Sequence, residues 1–240
     1  AINILSDKNI ETGYLKSYVS FQPIGLVLGI MPWNFPFWQV VRFAIPALIA
    51  GNGILLKHAS NVQSCANAIE ACFLESGLPS HTFKNLQIPS DMVDSILENN
   101  CIAGVAITGS EQAGRAVAKK AGEYLKKTVL ELGGNDPYII LDDADISKAV
   151  KLCVEGRLLN TGQSCIAAKR LIITKKNIEV FTKKLIDTLE TKVVGDPYDD
   201  VDLGPLVSDV ARDEVHNLVE ESILRGAILK MGGEIPDSKG

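Results

Sequence analysis

Apolar residues recur along the first half of the chain at two alternating spacings. Short, almost continuously apolar runs are typical of strands buried on both faces, and apolar positions three and four residues apart predict amphipathic helices. The predicted strands lie within residues 17–31, 53–57, 86–88, 102–108 and 128–132, and the predicted helices cover residues 37–50, 62–76, 91–98 and 111–124. This β-α-β-α rhythm predicts an α/β fold in which helices cover both faces of a parallel sheet.

After the glycine pair Gly133-Gly134 the pattern restarts. The second half predicts strands at residues 138–141, 170–174 and 227–231, and helices at residues 146–159, 178–189 and 210–225. We therefore expect two domains, residues 1–132 and residues 133–240, with their boundary at the glycine pair.

Composition narrows the classes of partner. The 24 basic and 29 acidic side chains give a net charge of -5, which offers no electrostatic footprint for nucleic acid or a membrane surface. The longest apolar candidate, residues 35–49, is interrupted by Pro36, Arg42 and Pro46 and is shorter than the roughly 18 residues of a spanning helix. We expect no nucleic-acid or membrane partner and, with no visible signal peptide, a cytoplasmic protein.

One cysteine lies in a different setting from the other four. Cys165 follows the polar segment Asn160-Thr161-Gly162-Gln163-Ser164, in a loop between a predicted helix and a predicted strand. A thiol in such a loop is accessible, as a nucleophile must be. No C-x-x-C pair or Cys/His cluster occurs, so we expect no metal site. The remaining cysteines stand in apolar stretches and are expected to be small buried side chains: Cys65, Cys72, Cys101 and Cys153.

Glu131 stands at the end of a predicted buried strand. A carboxylate in an apolar setting is costly unless it is paired or used in chemistry. Such a group is suited to take a proton from water or from a thiol, whereas an ion pair with a nearby lysine is the structural alternative.

The segment Met31-Pro32-Trp33-Asn34-Phe35-Pro36 lies where a predicted strand ends and a predicted helix begins. Its two prolines restrict the turn around Asn34, whose side-chain amide can donate a hydrogen bond into a cleft. An oxyanion hole needs such a donor, but an asparagine in this place could equally cap the helix.

Two further turns follow predicted strands. Gly109-Ser110 opens a helix, with Gly114 five residues after the first glycine, and free N–H groups at a helix start favour a phosphate. Lys57-His58-Ala59-Ser60 follows another strand, at the edge where open parallel sheets bind nucleotides. Neither turn is a G-x-G-x-x-G fingerprint, so each alone is a weak indication.

Together these motifs resemble the aldehyde dehydrogenase superfamily. Pro-Trp-Asn-Phe-Pro, the Gly-Ser-x-x-x-Gly turn, Glu-Leu-Gly-Gly and Gly-Gln-x-Cys stand here in the family's order. The finer resemblance is to the bacterial succinate-semialdehyde dehydrogenases, through the segments around Asn34, Lys57, Glu131 and Cys165. It implies a Rossmann-like NAD(P)-binding domain at residues 1–132, with part of an oligomerisation hairpin near residues 12–24, followed by the first part of an α/β catalytic domain.

The resemblance implies a role for each catalytic candidate. Cys165 would attack the aldehyde carbonyl, and the Asn34 amide and the Cys165 N–H would hold the resulting oxyanion. Glu131 would deprotonate the water that hydrolyses the thioester.

The resemblance also implies a binding site for NAD or NADP. Lys57 would bind the adenosine ribose, Gly109-Ser110 the pyrophosphate, and Ala113 would pack beside the adenine. The complete set of cofactor residues that it implies is Met31, Pro32, Trp33, Asn34, Lys57, His58, Ala59, Ser60, Gly109, Ser110, Ala113 and Leu132.

The chain departs from the family pattern in three ways. It resembles about half of a family subunit and lacks the later Glu-x-Phe-Gly-Pro segment that grips the nicotinamide ribose, so activity of this piece alone is an open question. Residues 87–91 replace the family's glycine-rich loop, and no adenine contact is carried over to them. Ser60 stands where strictly NAD-using relatives carry a glutamate, and its small uncharged side chain leaves room for the 2′-phosphate of NADP.

Arg42 is the candidate for substrate recognition. It lies eight residues after Asn34, about two turns into an otherwise apolar helix. Its guanidinium would either pair with a structural carboxylate or hold the distal carboxylate of the substrate. Some relatives that use succinate semialdehyde carry an arginine here and a second one six residues before the nucleophile, where this chain has Leu159.

The leading hypothesis is therefore oxidation of succinate semialdehyde by a homo-oligomeric enzyme. A broad-range aldehyde dehydrogenase is the first alternative, and a truncated, non-catalytic homologue is the second. The presence of Asn34, Glu131 and Cys165 favours an enzyme over the second alternative.

Overall fold

The computed structural model describes residues 2–236, and the contacts within it divide the chain into two units, residues 1–133 and 134–240. The strands of the first unit are β1 (Lys8–Asn9), β2 (Tyr18–Val19), β3 (Leu26–Met31), β4 (Gly53–His58), β5 (Phe83–Asn85), β6 (Ile102–Thr108) and β7 (Lys127–Glu131), and its helices are α1 (Pro36–Ile49), α2 (Gln63–Glu75), α3 (Val93–Glu98) and α4 (Glu111–Glu123). The second unit contains β8 (Pro137–Ile140), β9 (Arg170–Ile173), α5 (Ile146–Leu158), α6 (Ile178–Leu189) and α7 (Asp209–Leu224).

Strands β3 to β7 form one parallel sheet in the order β5-β4-β3-β6-β7. The chain adds β4 and β5 on one side of β3 and then crosses over to add β6 and β7 on the other side. The strand order thus reverses between β3 and β6, and open parallel sheets bind ligands at the carboxyl ends of strands beside such a reversal. The predicted α/β fold with a parallel sheet is confirmed.

Alternating residues of the strands contribute to two hydrophobic cores, one on each face of the sheet. Ile54 and Leu56 of β4 pack with residues of α1 and α2, whereas Val105 and Ile107 of β6 pack with residues of α3 and α4. Burial of each such side chain stabilises the fold by about 1.5–3 kcal/mol. Because both faces are covered, the strands are continuously apolar rather than alternating.

Two predicted strands differ from the structure. The strand expected at residues 86–88 lies earlier, at β5, because Phe83 and Asn85 are the buried residues that pair beside β4. The strand expected at residues 227–231 is not found, and its residues are exposed with no neighbouring strand in the described part of the second unit.

Other bounds agree closely with the sequence. The helix expected at residues 91–98 begins with a 3-10 turn, Ser90–Met92, before α3. The hairpin expected near residues 12–24 begins earlier, because β1 pairs antiparallel with β2, Lys8 opposite Val19. Its role in oligomerisation stays a prediction. The remaining helices of both units begin and end within one residue of their predicted bounds.

In the second unit, β8 and β9 pair in parallel and share one core with α5 and α6. Phe181 of α6 is fully buried there, together with Val150 and Cys153 of α5. The other face of this two-stranded sheet exposes Ile139 and Ile172. The second unit therefore presents one covered and one uncovered sheet face in the described residues.

Candidate active site

The carboxyl ends of four neighbouring strands lie at one edge of the five-stranded sheet. The strand register places Met31 of β3 beside His58 of β4, and Thr108 of β6 beside Glu131 of β7. Gly109 follows directly, and its N–H donates to the carbonyl oxygen of Glu131 at 3.0 Å. The structure thus brings the predicted site residues of the first unit to the edge where parallel sheets bind nucleotides.

Residues 32–35 connect β3 to α1 and carry Trp33 and Asn34, both half-buried. Pro36 is the first residue of α1, a position where the missing N–H of proline has no helical partner in any case. The capping residue of α1 is Phe35. The alternative interpretation of Asn34 as the helix cap is therefore wrong by one position, while its role as an amide donor stays a prediction.

The imidazole of His58 is fully buried beneath this connection. Its Nε2 lies 2.9 Å from the carbonyl oxygen of Pro36, and its Nδ1 lies 3.1 Å from that of Met31. His58 was expected to contact the cofactor, but both of its ring nitrogens contact backbone carbonyl oxygens at the two ends of the loop. Any contact from this residue to a cofactor is limited to its main chain.

Lys57 is a buried cation, only 7% exposed. Its Nζ donates a hydrogen bond to the Ser90 hydroxyl at 3.1 Å, and burial lowers the pKa of its ammonium group. Among the described residues no carboxylate lies within ion-pair distance of it, and the exposed hydroxyl of Ser60 is three residues further along the chain. A buried ammonium beside hydroxyl groups fits an anionic ligand such as a phosphate.

The turn between β6 and α4 is built as the sequence predicts. The Ser110 hydroxyl accepts a hydrogen bond from the Ala113 N–H at 3.2 Å and caps α4. A side chain at Gly114 would overlap the side chain of Leu132, so the glycine lets the helix approach the residue that follows Glu131. The start of α4 at the sheet edge is suited to bind a pyrophosphate.

Glu131 is not buried, which corrects the expectation from its apolar neighbours. Strand β7 is an edge strand, and all five of its residues are exposed in the described chain. The Glu131 side chain is 58% exposed, and its Oε2 lies 3.9 Å from Nη2 of Arg42. Its partner is therefore an arginine on α1 rather than the lysine considered from the sequence.

Arg42 and Glu131 line the same cavity, of about 200 Å³, between α1 and the ends of β3, β6 and β7. The Arg42 guanidinium also donates to Oε1 of Gln39 at 3.2 Å. An exposed ion pair at this distance contributes about 0–1 kcal/mol, so it does not lock the guanidinium in place. Arg42 is thus an ion-pair partner that is still available to a carboxylate ligand.

In the second unit, Cys165 lies in a turn between α5 and β9, as predicted, and is half-buried. Three consecutive left-handed residues precede it: Asn160, Thr161 and Gly162, with φ of 53°, 57° and 75°. Such a backbone is strained by about 1–3 kcal/mol at each non-glycine position and is a feature of functional loops. The neighbouring Ser164 is buried, so the turn is anchored directly before the half-buried thiol.

Two side chains hold this turn through the main chain. The Lys169 Nζ donates to the carbonyl oxygens of Ser164, at 3.2 Å, and Cys165, at 2.7 Å. The Gln163 Oε1 accepts from the Val207 N–H at 2.9 Å. The loop of the candidate nucleophile is therefore fixed from within the second unit.

The expectation that the other four cysteines are buried is wrong for most of them. Cys72 and Cys101 are exposed, Cys65 is half-buried, and only Cys153 is buried. Burial raises the pKa of the Cys153 thiol. Cys72 lies on the outer face of α2, and Cys101 lies in the turn before β6, so apolar neighbours in sequence did not place them in the core.

Ser90 and Lys169 were not anticipated from the sequence. Ser90 lies in the segment that departs from the family pattern, and Lys169 stands beside Arg170 between two short apolar runs, residues 166–168 and 171–173. Ser90 could have been recognised from its position, because it follows β5 and lies at the same sheet edge as Lys57. Lys169 is recognisable only from its contacts.

The remaining predicted residues lie at the same edge or near the nucleophile. The Ala59 N–H donates to the Met31 carbonyl oxygen at 3.0 Å, and Ala113 is exposed in the first turn of α4. Pro32 is half-buried, and Leu159 is 51% exposed where the 3-10 turn before Cys165 begins.

Within residues 2–236, no group of three or more His, Cys, Asp or Glu side chains is arranged to hold a metal ion. Across the same residues, no helix has the length and apolar character needed to cross a membrane.

Several proteins are similar to the chain over nearly all of its length. A succinate-semialdehyde dehydrogenase (NADP+) of Mycobacterium avium is 44% identical over 244 aligned positions, which cover all of this chain and 52% of that protein. The succinate semialdehyde dehydrogenase (NAD(P)+) Sad of Escherichia coli is 46% identical over 220 residues, or 91% of this chain and 48% of that protein. The chain thus spans about half the length of the curated relatives it matches.

Structural similarity gives the same result. The crystal structure of succinic semialdehyde dehydrogenase from Streptococcus pyogenes in complex with NADP+ superposes with a TM-score of 0.94 and 38% identity, over 98% of this chain and 52% of that one. The profile of the aldehyde dehydrogenase family matches residues 2–240. The resemblance inferred from the motifs is confirmed: the chain belongs to the aldehyde dehydrogenase family.

Proposed function

We propose that the full-length protein containing this chain oxidises an aldehyde to the carboxylic acid with NAD or NADP. The observation that carries this proposal is the sheet edge that gathers the Asn34 loop, Lys57, Gly109 and Glu131. Relatives of 44% and 46% identity, named succinate-semialdehyde dehydrogenases, support the same reaction class.

The proposed mechanism uses three side chains of this chain. The Cys165 thiolate forms a C–S bond to the aldehyde carbon, and the carbonyl electron pair moves to oxygen, where the Asn34 amide and the Cys165 N–H stabilise it. NAD(P)+, held by the residues at the sheet edge, would supply the hydride acceptor needed to oxidise the adduct to a thioester. Glu131 then takes a proton from water, which attacks the thioester and releases the acid as the C–S bond breaks.

The coenzyme would be held at the sheet edge by donors of three kinds. The buried Lys57 ammonium and the hydroxyls of Ser60 and Ser90 suit the ribose and a 2′-phosphate, and the Gly109-Ser110 turn suits the pyrophosphate. An uncharged serine at position 60 repels no phosphate, which supports use of NADP beside NAD.

Succinate semialdehyde is the proposed substrate. The names of the relatives support it, and so does Arg42, whose guanidinium lines the cavity at Glu131 and can bind a carboxylate in bidentate fashion. Leu159 favours the alternative of a broad-range aldehyde dehydrogenase, because a second arginine is absent there. Homo-oligomeric state and cytoplasmic location stay predictions.

A substrate panel on the full-length protein with both coenzymes tests the proposal. We expect aldehyde-dependent formation of reduced coenzyme, fastest with succinate semialdehyde and slower with uncharged aldehydes of similar length. Equal rates across the panel would favour the broad-range alternative. No turnover with any aldehyde would favour the non-catalytic homologue.

A further inference from the structure

The buried imidazole of His58 joins the two ends of the loop that carries Asn34. Met31 precedes this loop and Pro36 follows it, and the carbonyl oxygens of both face the ring, at 3.1 Å from Nδ1 and 2.9 Å from Nε2. His58 lies on β4, the strand beside β3, so the contact ties the loop to a different strand of the sheet.

The Pro36 carbonyl indicates where the ring proton lies. A carbonyl oxygen can only accept, so its 2.9 Å contact with Nε2 needs the proton on Nε2, and the Ala59 N–H lies 3.0 Å from Nδ1. Nε2–H therefore donates to the carbonyl oxygen of Pro36. The same Ala59 N–H lies 3.0 Å from the Met31 carbonyl oxygen, so His58 and Ala59 together hold both ends of the loop.

The two prolines of this loop limit how its backbone can be attached. Pro32 and Pro36 have no N–H, so neither proline can anchor the loop through an amide of its own. The carbonyl oxygen of Pro36, the first residue of α1, has a second lone pair besides the one used in the helix, and the fully buried His58 ring meets it. A leucine would fill a similar volume but would leave that carbonyl without this donor.

We infer that His58 is a positioning residue, which sets the place of the Asn34 amide without touching the substrate or the coenzyme through its side chain. The inference rests on the proposed role of Asn34 as the oxyanion donor. An oxyanion donor acts only at hydrogen-bond distance from the developing charge, and small displacements of it are costly.

The test uses the full-length protein and the single-turnover rate of NADPH formation, which precedes thioester hydrolysis. His58→Leu should lower this rate by about tenfold or more, while NADP+ affinity, measured by fluorescence titration, changes by less than about twofold. His58→Gln, which places a donor near the Nε2 position, should retain the rate within about threefold. His58→Asn, whose amide reaches only the Nδ1 side, should resemble His58→Leu.

A double-mutant cycle with Asn34→Ala separates positioning from general damage. If His58 acts through Asn34, the double variant should be no slower than Asn34→Ala alone. Losses that multiply, or a fall in NADP+ affinity parallel to the fall in rate, would overturn the inference and leave His58 as a structural core residue.

Two further outcomes have distinct meanings. An Asn34→Ala enzyme with wild-type rate would refute the oxyanion role itself, and the inference with it. Should His58→Leu fail to fold, the comparison of His58→Gln with His58→Asn decides: equal losses in both count against positioning through the Pro36 carbonyl, and a selective loss in His58→Asn supports it.

Discussion

Four of the five thiols are at least partly exposed, so accessibility alone does not select the nucleophile. Cys72 and Cys101 are more exposed than Cys165, which is half-buried. What separates Cys165 is its loop, with a left-handed backbone before it and the Lys169 ammonium on its carbonyl oxygen. Reactivity should follow that setting rather than exposure.

We therefore expect Cys165→Ala to abolish dehydrogenase activity in the full-length protein. Cys72→Ala and Cys101→Ala are the matched controls, since both remove an exposed thiol, and both should retain turnover. Steady-state formation of reduced coenzyme measures the difference. Activity above a few per cent in Cys165→Ala would show that another residue is the nucleophile.

Glu131→Gln should slow thioester hydrolysis more than hydride transfer, because the attacking water needs a base and the hydride does not. A stopped-flow trace should show one burst of NAD(P)H per site followed by slow turnover. Glu123→Gln, which changes an exposed glutamate on α4, is the control, and its stopped-flow trace should match that of the wild type. Wild-type steady-state turnover in Glu131→Gln would remove this residue from the mechanism.

Ser60→Glu should shift preference from NADP towards NAD. A carboxylate at this position would repel the 2′-phosphate, and like-charge repulsion in a partly desolvated site is about 1–3 kcal/mol. The ratio of kcat/KM for the two coenzymes is the measurement, and Ser222→Glu on α7 is the control for added charge. An unchanged ratio would mean that position 60 does not face the ribose.

At the scale of elements, one residue of α1, Arg42, is both the candidate for substrate recognition and the ion-pair partner of the proposed base. Arg42 projects from α1 towards the cavity at the end of β7, where its guanidinium lies 3.9 Å from the Glu131 carboxylate. A substrate carboxylate would have to compete with Glu131 for the same guanidinium. That competition is weak, because both side chains are about half exposed.

Arg42→Leu should impair oxidation of succinate semialdehyde far more than oxidation of butyraldehyde. Loss of a charge-assisted bidentate contact costs about 2–4 kcal/mol, mainly in kcat/KM for the charged substrate. Arg225→Leu, which removes another exposed helix arginine from an ion pair, is the control, and melting curves report on stability. Equal losses on both aldehydes would assign Arg42 a structural role and make Leu159 the more informative residue.

Elements were predictable from sequence where their burial left a local pattern. Strand β6, buried on both faces, is a continuous apolar run, and helix α6, buried on one face, has apolar residues at helical spacing. Both were predicted at their observed bounds. The apolar pattern predicted the wrong burial for Glu131, because apolar residues in β7 do not reveal that the strand lies at the sheet edge. Sheet order depends on contacts between distant segments. The hydrogen bonds from His58 to Pro36 and from Lys57 to Ser90 also join distant segments, so no local pattern predicts them.

At the scale of the whole molecule, the proposed chemistry draws on both units. The coenzyme candidates lie in residues 1–133, and the nucleophile lies in residues 134–240. The chain also spans about half the length of its relatives, 52% in the case of the Mycobacterium avium protein. We therefore expect that a chain of this length can bind the coenzyme without turning over the substrate.

Expressed alone, the 240 residues should bind 2′,5′-ADP through the sheet edge but should not turn over aldehyde. The adenosine side of the proposed site lies within the first unit, around Lys57 and Ser110, whereas the relatives named as active enzymes are about twice as long as this chain. Calorimetry with 2′,5′-ADP and a coupled activity assay measure the two properties. Full activity of the isolated chain would contradict the expectation, and so would failure to bind the adenosine fragment.

The close approach of α4 to residue 132 also constrains which substitutions this chain could accept. A methyl group at Gly114 would overlap Leu132, the residue directly after Glu131. Any side chain introduced at position 114 would therefore force the Leu132 side chain, next to the proposed base, to move. A mutant library that varies the coenzyme turn should vary positions 114 and 132 together, so that a larger residue at one is matched by a smaller residue at the other.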